Sequence, residues 1–295
     1  MLDLGAALSA GANLVAIYGL VGLGFVIIYR ASGVLNFAHG AMFALGGYIG
    51  FALCEATGMP MIAACPLVAL IGGAIGWLFY RAVMPTLAGQ PHWVPVLVTC
   101  ACGFFILAGV IELVWTPASR DFLGELGFAN TIIRLPLEID LSTIQAALLV
   151  GLIVVELTIL ALYRYTRIGI QMKAAAHDHH LASFRGIDIH AVFALAWSIA
   201  TAIAMLAGFA YSVDQRLDLH LVVIAIKAFP AAMVGGLEAI GGLILGALIV
   251  GMSEAFATVY IDPQIGELVP FALLLLILFT RPWGLFGRPQ GALRV

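Results

Sequence analysis

The chain is poor in charge: of its 295 residues, 10% are Asp, Glu, Lys or Arg, against about 25% in a soluble domain. That is too little to cover a solvated surface. Lysine occurs only as Lys173 and Lys227, and neither closes a G-x-x-x-x-G-K-[ST] loop, so hydrolysis of ATP by a P-loop of its own is excluded. A net charge of −3 with scattered arginines leaves no nucleic-acid footprint. Cysteine is also sparse. Cys54, Cys65, Cys100 and Cys102 stand in apolar sequence, without the polar, spaced framework that a zinc site or disulfide scaffold requires, and are read as buried free thiols. The opening Met1-Leu2-Asp3 has no basic n-region, so the first apolar run is expected to stay as a span.

What the chain does have is apolar sequence in blocks. Hydrophobic residues make up 63% of it and the mean hydropathy is +1.11. Several runs reach the 18 or so residues that span a bilayer, and they are continuous rather than alternating, which excludes a barrel. The chain reads as an all-α, polytopic membrane protein with one transmembrane domain over residues 1–295.

The predicted spans are Gly11–Tyr29, Asn36–Cys54, Met61–Phe79, Val94–Trp115, Thr143–Tyr163 and Ala191–Val213, then Leu221–Gly236, Gly242–Tyr260 and Ile265–Phe279. Thr116-Pro117 closes the fourth span, and a loop from Ala118 to Ser142 carries Arg120, Asp121, Glu125, Arg134, Glu138 and Asp140. Leu221–Gly236 is short and contains Lys227 and Pro230. Basic residues in short loops mark the cytoplasmic side. Placing Arg164–Arg185 there puts Arg30 and Arg81 there too, with the start of the first span outside. A tail bearing Arg281, Arg288 and Arg294 is then internal only if Leu221–Gly236 crosses. The expectation is nine crossings with short or broken helices, with eight as the alternative if that segment is re-entrant.

Among 33 glycines, the pairs Gly46/Gly50, Gly72/Gly76 and Gly242/Gly246 each place small residues on one helix face. They predict close helix packing, where association in lipid gains its dispersion energy. The stretch Arg164–His190 is 27 residues long, whereas helix–helix links usually run about 2–8. Gln171–Phe184 is predicted as a slim helix ended by Gly186, with Leu181, Phe184 and Ile187 as a narrow apolar edge. Such an edge suits insertion into a groove on another protein. The basic residues suit an interfacial helix equally well.

That stretch carries a resemblance. Ala176-His177-Asp178-His179-His180-Leu181-Ala182-Ser183-Phe184-Arg185-Gly186-Ile187 is similar to the EAA-type loop of ABC importer permeases. Gly33-Val34-Leu35-Asn36-Phe37-Ala38-His39-Gly40, the run Ala228–Gly236 followed by Gly241, Gly242 and Gly246, and the ending Arg281–Gly287 resemble, in order, the branched-chain amino acid permease family. The acidic residue that opens the EAA triplet is not matched; His179-His180 stands near it. The resemblance implies an importer subunit in the bacterial inner membrane, paired with a second permease. It also implies two ABC ATPase subunits below, carrying ATP and Mg, and a periplasmic substrate-binding protein above. No cofactor would be bound by this chain itself. Residues 164–190 would then be the coupling loop, with Asp178, Ala182, Arg185 and Gly186 at the ATPase, and Asn36, Phe37, His39, Tyr48, Phe229 and Pro230 near the path. The solute would be an amino acid with a branched or hydrophobic side chain, or a related small amide.

The remaining polar residues are weighed against a different class, a self-sufficient channel or secondary carrier that would need an intramembrane charge relay. Asn36 and His39 are read chiefly as holding a helix break. His177, His179 and His180 lack the four ligands of a structural zinc site. Glu156 lies within a span and is expected to find an internal hydrogen bond, while Glu112, Lys227 and Glu254 stand near span ends, Lys227 snorkelling outward.

Overall fold

The computed structural model describes residues 2–287 except 92, 116–118, 128, 129, 137 and 138. Thr116, Pro117, Ala118, Glu138, Arg288 and Arg294 therefore lie outside the described residues, as does the side chain of His180. The long helices are α1 (Leu2–Ser32), α2 (His39–Thr57) and α3 (Met61–Val83). Then come α4 (Trp93–Ala101) and α5 (Ala108–Trp115), joined through a π turn at Cys102–Leu107 into one span. On the far side of the loop follow α7 (Thr143–Tyr165), α10 (Ile189–Asp214), α12 (Leu243–Tyr260) and α13 (Pro263–Thr280). Among the described residues, eight helical segments are long and apolar enough to cross a bilayer. The further apolar segment is α11 (His220–Gly235), whose 16 residues reach about 24 Å, short of a hydrocarbon core of about 30 Å.

Close contacts set the helix directions. Gly19 meets Leu152 and Arg30 lies 4.9 Å from the Tyr163 ring, so α1 and α7 run together. Gly11 faces Met252 and Ala255 while Gly22 faces Leu243, so α12 runs against α1. Gly246 against Ala231 and Gly242 against Gly235 make α11 antiparallel to α12. Thus α11 runs in the direction of α1, and the end of α13 returns to the side where α1 and α7 end. Residues 281–287 fold back onto the last turn of α11: Leu285 N–H donates to the Val234 carbonyl (2.9 Å) and Phe286 N–H to that of Gly235 (3.3 Å). Carbonyls that a helix end leaves orphaned are satisfied there.

α1 threads the middle of the bundle, in contact with α7, α10, α11 and α12. Its most apolar stretch is 83% buried, against 11% for α13. α3, α4–α5, α7 and α13 form the rim, and rim residues such as Phe105, Leu113 and Phe279 stand exposed. The predicted glycine pairs lie where α2 and α3 pack on α10 and where α12 packs on α11. A Cβ on Gly46 would strike the Met205 backbone, one on Gly76 the Trp197 carbonyl and one on Gly246 the Ala231 carbonyl. Absence of a side chain lets the backbones touch.

Two connections differ from their sequence reading. The loop after α5 is built rather than irregular, holding a short helix α6 (Phe122–Leu126) and a hairpin, β1 (Ile132–Leu135) with β2 (Ile139–Ser142), paired from Ile132↔Ser142 to Leu135↔Ile139. Asp214 pins it at the end of α10: its carboxylate accepts from Ser142 Oγ (2.5 Å), Gln145 Nε2 (2.8 Å) and Asn130 Nδ2 (3.0 Å). The predicted Gln171–Phe184 helix is two helices, α8 (Arg167–His177) and α9 (His179–Phe184). The break is Asp178. Its backbone is extended at φ −156° and its Oδ1 accepts from Leu181 N–H at 2.9 Å, an N-cap that competes with helix continuation.

Candidate functional site

At the end where α1 and α7 finish, α9 is a short helix closed at both ends. Asp178 caps its start. At its finish Ile187 N–H donates to the Ala182 carbonyl (3.2 Å) and Gly186 N–H to that of Ser183 (2.9 Å), the paired bonds of a Schellman ending. Gly186 sits at φ +80°, a region costly for a residue with a Cβ. Asp188 then caps α10 through its Oδ1, which accepts from Ala191 N–H at 3.0 Å. The caps fix α9 on the base of α10, where the His179 ring packs edge-on against Phe193 at 5.2 Å. Ala182 is buried at 4% exposure, whereas Leu181 is 56% and Phe184 86% exposed. Arg185 is exposed as well. Of the coupling residues named from sequence, Asp178 and Gly186 shape the helix and Ala182 seats it. The apolar edge turned outward is Leu181 and Phe184.

Within the bundle, the chain leaves α1, turns back at Gly33 (φ +69°) and enters α2 after an extended stretch. Asn36 is fully buried and its Oδ1 accepts from Ala38 N–H at 3.1 Å, starting α2. Thr99 of α4 holds the same break: its Oγ1 accepts from Phe37 N–H (3.2 Å), and its own proton has the Val96 carbonyl at 2.8 Å and the Leu35 carbonyl at 3.3 Å. Sequence reasoning missed Thr99, because a threonine among apolar residues carries no signal of a partner more than sixty positions away.

Four rings meet at this break. Phe37 lies 5.4 Å from Phe229 of α11, Phe25 of α1 lies 5.8 Å from Phe229 and 6.4 Å from Phe37, and the His39 ring is 5.0 Å from Phe25. His39 is fully buried against Gly24, whose missing Cβ leaves room for the imidazole. Neither ring nitrogen has a hydrogen bond of good geometry among the described residues. Phe37 and Phe229 are half-buried and Pro230 is buried behind them, its ring removing one hydrogen bond within α11. Of the six residues named for the path, Asn36, Phe37, His39, Phe229 and Pro230 thus converge. Tyr48 does not; it lies nine residues up α2 from His39, about 13 Å along the axis, against Trp115 at 5.7 Å.

The intramembrane charges depart from their sequence reading. Lys227 does not snorkel and Glu254 is not interfacial. Lys227 Nζ lies 3.1 Å from Glu254 Oε1, both side chains are buried, and Tyr18 Oη donates to Glu254 Oε2. The pair is buried because α11 runs against α12 and turns Lys227 onto it. A lone lysine in an apolar run calls for an acid, but spacing does not say which. Glu156 is buried at 1% exposure, and neither carboxyl oxygen has a hydrogen-bond partner among the described residues. The internal bond expected of it is not formed.

The family model for the permease component of branched-chain amino acid transport systems matches residues 7–278. The chain is 30% identical to the high-affinity branched-chain amino acid transport system permease protein LivH of Escherichia coli K12, over 95% of this chain and 94% of that one. It is 28% identical to BraD of Pseudomonas aeruginosa, a protein of the same description, over 92% of each. A probable LivH of Methanocaldococcus jannaschii is 26% identical over 91% of this chain and 88% of that one. No solved structure matches the chain significantly. A capped external helix, a broken intramembrane entry to α2 and a match spanning nearly all of the bundle converge: the chain belongs to the branched-chain amino acid transport system permease family and is a transport subunit, not an enzyme.

Proposed function

We propose that this chain is one of two permease subunits of an ATP-driven ABC importer of the bacterial inner membrane, forming half of a path for amino acids with branched or hydrophobic side chains or related small amides. The observation that carries the reading is α9: a helix rigidly capped by Asp178 and Gly186, seated through Ala182, with Leu181 and Phe184 turned outward and exposed. Apolar anchors three apart on a helix suit a groove. The groove belongs to an ATPase subunit, one per permease, which binds the ATP and Mg that this chain has no loop to hold. Closure of the ATPase pair pushes α9, and the caps at Gly186 and Asp188 pass the displacement into α10, a shear of packed helices. A periplasmic binding protein delivers solute at the opposite face, beside the β1–β2 hairpin. The start of α1 lies outside and the end of α13 inside, in keeping with Arg30, Arg81, Arg164 and Arg167 standing at one end of the helices.

The path runs past the rings of Phe25, Phe37 and Phe229, which are closed on one another in this conformation. Apolar rings with few polar groups suit a solute with an apolar side chain, and selection for it resides mainly in the binding protein. The test is purification in mild detergent from the native membrane with identification of the co-purifying chains. Recovery of P-loop ATPases and a second permease is the expected result. A lone chain that moves solute in liposomes without ATP would overturn the reading and make this a self-sufficient channel or carrier.

A further inference from the structure

Lys227, Glu254 and Tyr18 form a buried ionic cluster inside the bundle, and nothing above uses them. They belong to three elements, α11, α12 and α1, and each oxygen of Glu254 takes one partner: Oε1 from Lys227 at 3.1 Å, Oε2 from Tyr18. A buried ion pair is a poor source of stability, since apolar residues of similar volume are often as good or better. Its distinctive property is directional. α11 is short and is interrupted by Pro230; Asp218 Oδ1 accepts from His220 N–H at its start (2.9 Å) and Ala231 and Gly235 pack on α12 towards its end, and between these the triad is the polar contact that fixes which way its middle turn faces. Residues 227 and 229 point about 200° apart on a helix. Fixing Lys227 on Glu254 therefore turns Phe229 to the opposite side, where Phe25 and Phe37 meet it at 5.8 and 5.4 Å. A rotation of one residue, about 100°, would withdraw that ring from the cluster.

We infer that the Lys227–Glu254–Tyr18 triad is a rotational clamp on α11 that positions Phe229 in the aromatic constriction of the path. The inference rests on the path reading above for its consequence in transport, but not for its geometry. Neither charge touches the solute; both act through Phe229.

The experiment uses the assembled importer in native membranes, with the four native cysteines replaced by serine. Phe37→Cys is combined with either Phe229→Cys or Ala228→Cys, and oxidative cross-linking is compared in two backgrounds, the parent triad and the apolar triple variant Tyr18→Phe/Lys227→Met/Glu254→Met, which leaves no buried group unpaired. With the parent triad the 37–229 cross-link dominates. In the triple variant, 37–228 is expected to become comparable, while uptake, measured without the cysteine substitutions, falls about tenfold at unchanged assembly. A triple variant that cross-links and transports as the parent does overturns the clamp. So does the exchange Lys227→Glu/Glu254→Lys if it assembles but loses the 37–229 cross-link; this exchange decides the matter if the triple variant does not assemble. Phe229→Ala with unchanged uptake would remove the path reading alone, leaving the cross-linking result to judge the clamp.

Discussion

At the scale of the residue, the chain assigns different work to side chains that look alike in sequence. Leu181 and Phe184 are turned out while Ala182 between them is buried, so substitutions there separate. Phe184→Asp should leave the folded permease intact, since an exposed side chain supports no packing, yet abolish co-purification of the ATPase subunits. Gly186→Val acts on the chain itself: at φ +80° a branched residue costs about 1–2 kcal/mol and distorts the turn. Combined with Ala182→Glu, which forces a carboxylate into a buried seat, it should abolish ATP-driven uptake in proteoliposomes; a free-standing channel would keep conducting. Glu156 offers the opposite case. Its carboxyl meets no partner among the described residues, and Glu156→Gln should slow uptake by no more than about tenfold. Abolished uptake with normal assembly would show that the carboxyl acts in transport.

At the scale of the element, what matters is how broken helices are held. The entry to α2 depends on α4, because Thr99 serves both the Phe37 N–H and carbonyls of the two segments it joins. Thr99→Val removes that hydroxyl at nearly constant volume and leaves part-buried backbone groups without their partner, at about 1 kcal/mol. The detergent melting temperature should fall accordingly, with no loss of the ATPase binding proposed at α9. The helix formers and glycine cap that predict one helix over Gln171–Phe184 are sound for helix content but blind to the break, since an aspartate inside a helical run reads as a weak helix former. Only the cap geometry at Asp178 separates α8 from α9. The loop after α5 shows the same limit: its charges were legible, while the hairpin and the Asp214 anchor join residues as much as 84 positions apart.

At the scale of the whole molecule, the parity of crossings is the point to test. α11 runs with α1 and α7, and the chain after α13 folds onto its end. A single cysteine probe at Gly287 or Ala292 should therefore label from the cytoplasmic side only; labelling from outside would remove the ninth crossing and the orientation with it. Scarce charge and long apolar runs determined that the chain is a helical membrane protein, because hydrocarbon admits only helices and closed barrels and the runs do not alternate. Ordered motifs were enough to place it in its family. Glycine spacing foretold where helices touch, since that depends on side-chain size alone. The tertiary structure alone decided which helix turns which face inward. The pairing of Lys227 with Glu254, the isolation of Glu156 and the meeting of Phe37 with Phe229 all followed from it. Each depends on the rotation and direction of two helices distant in sequence, and local composition leaves both free.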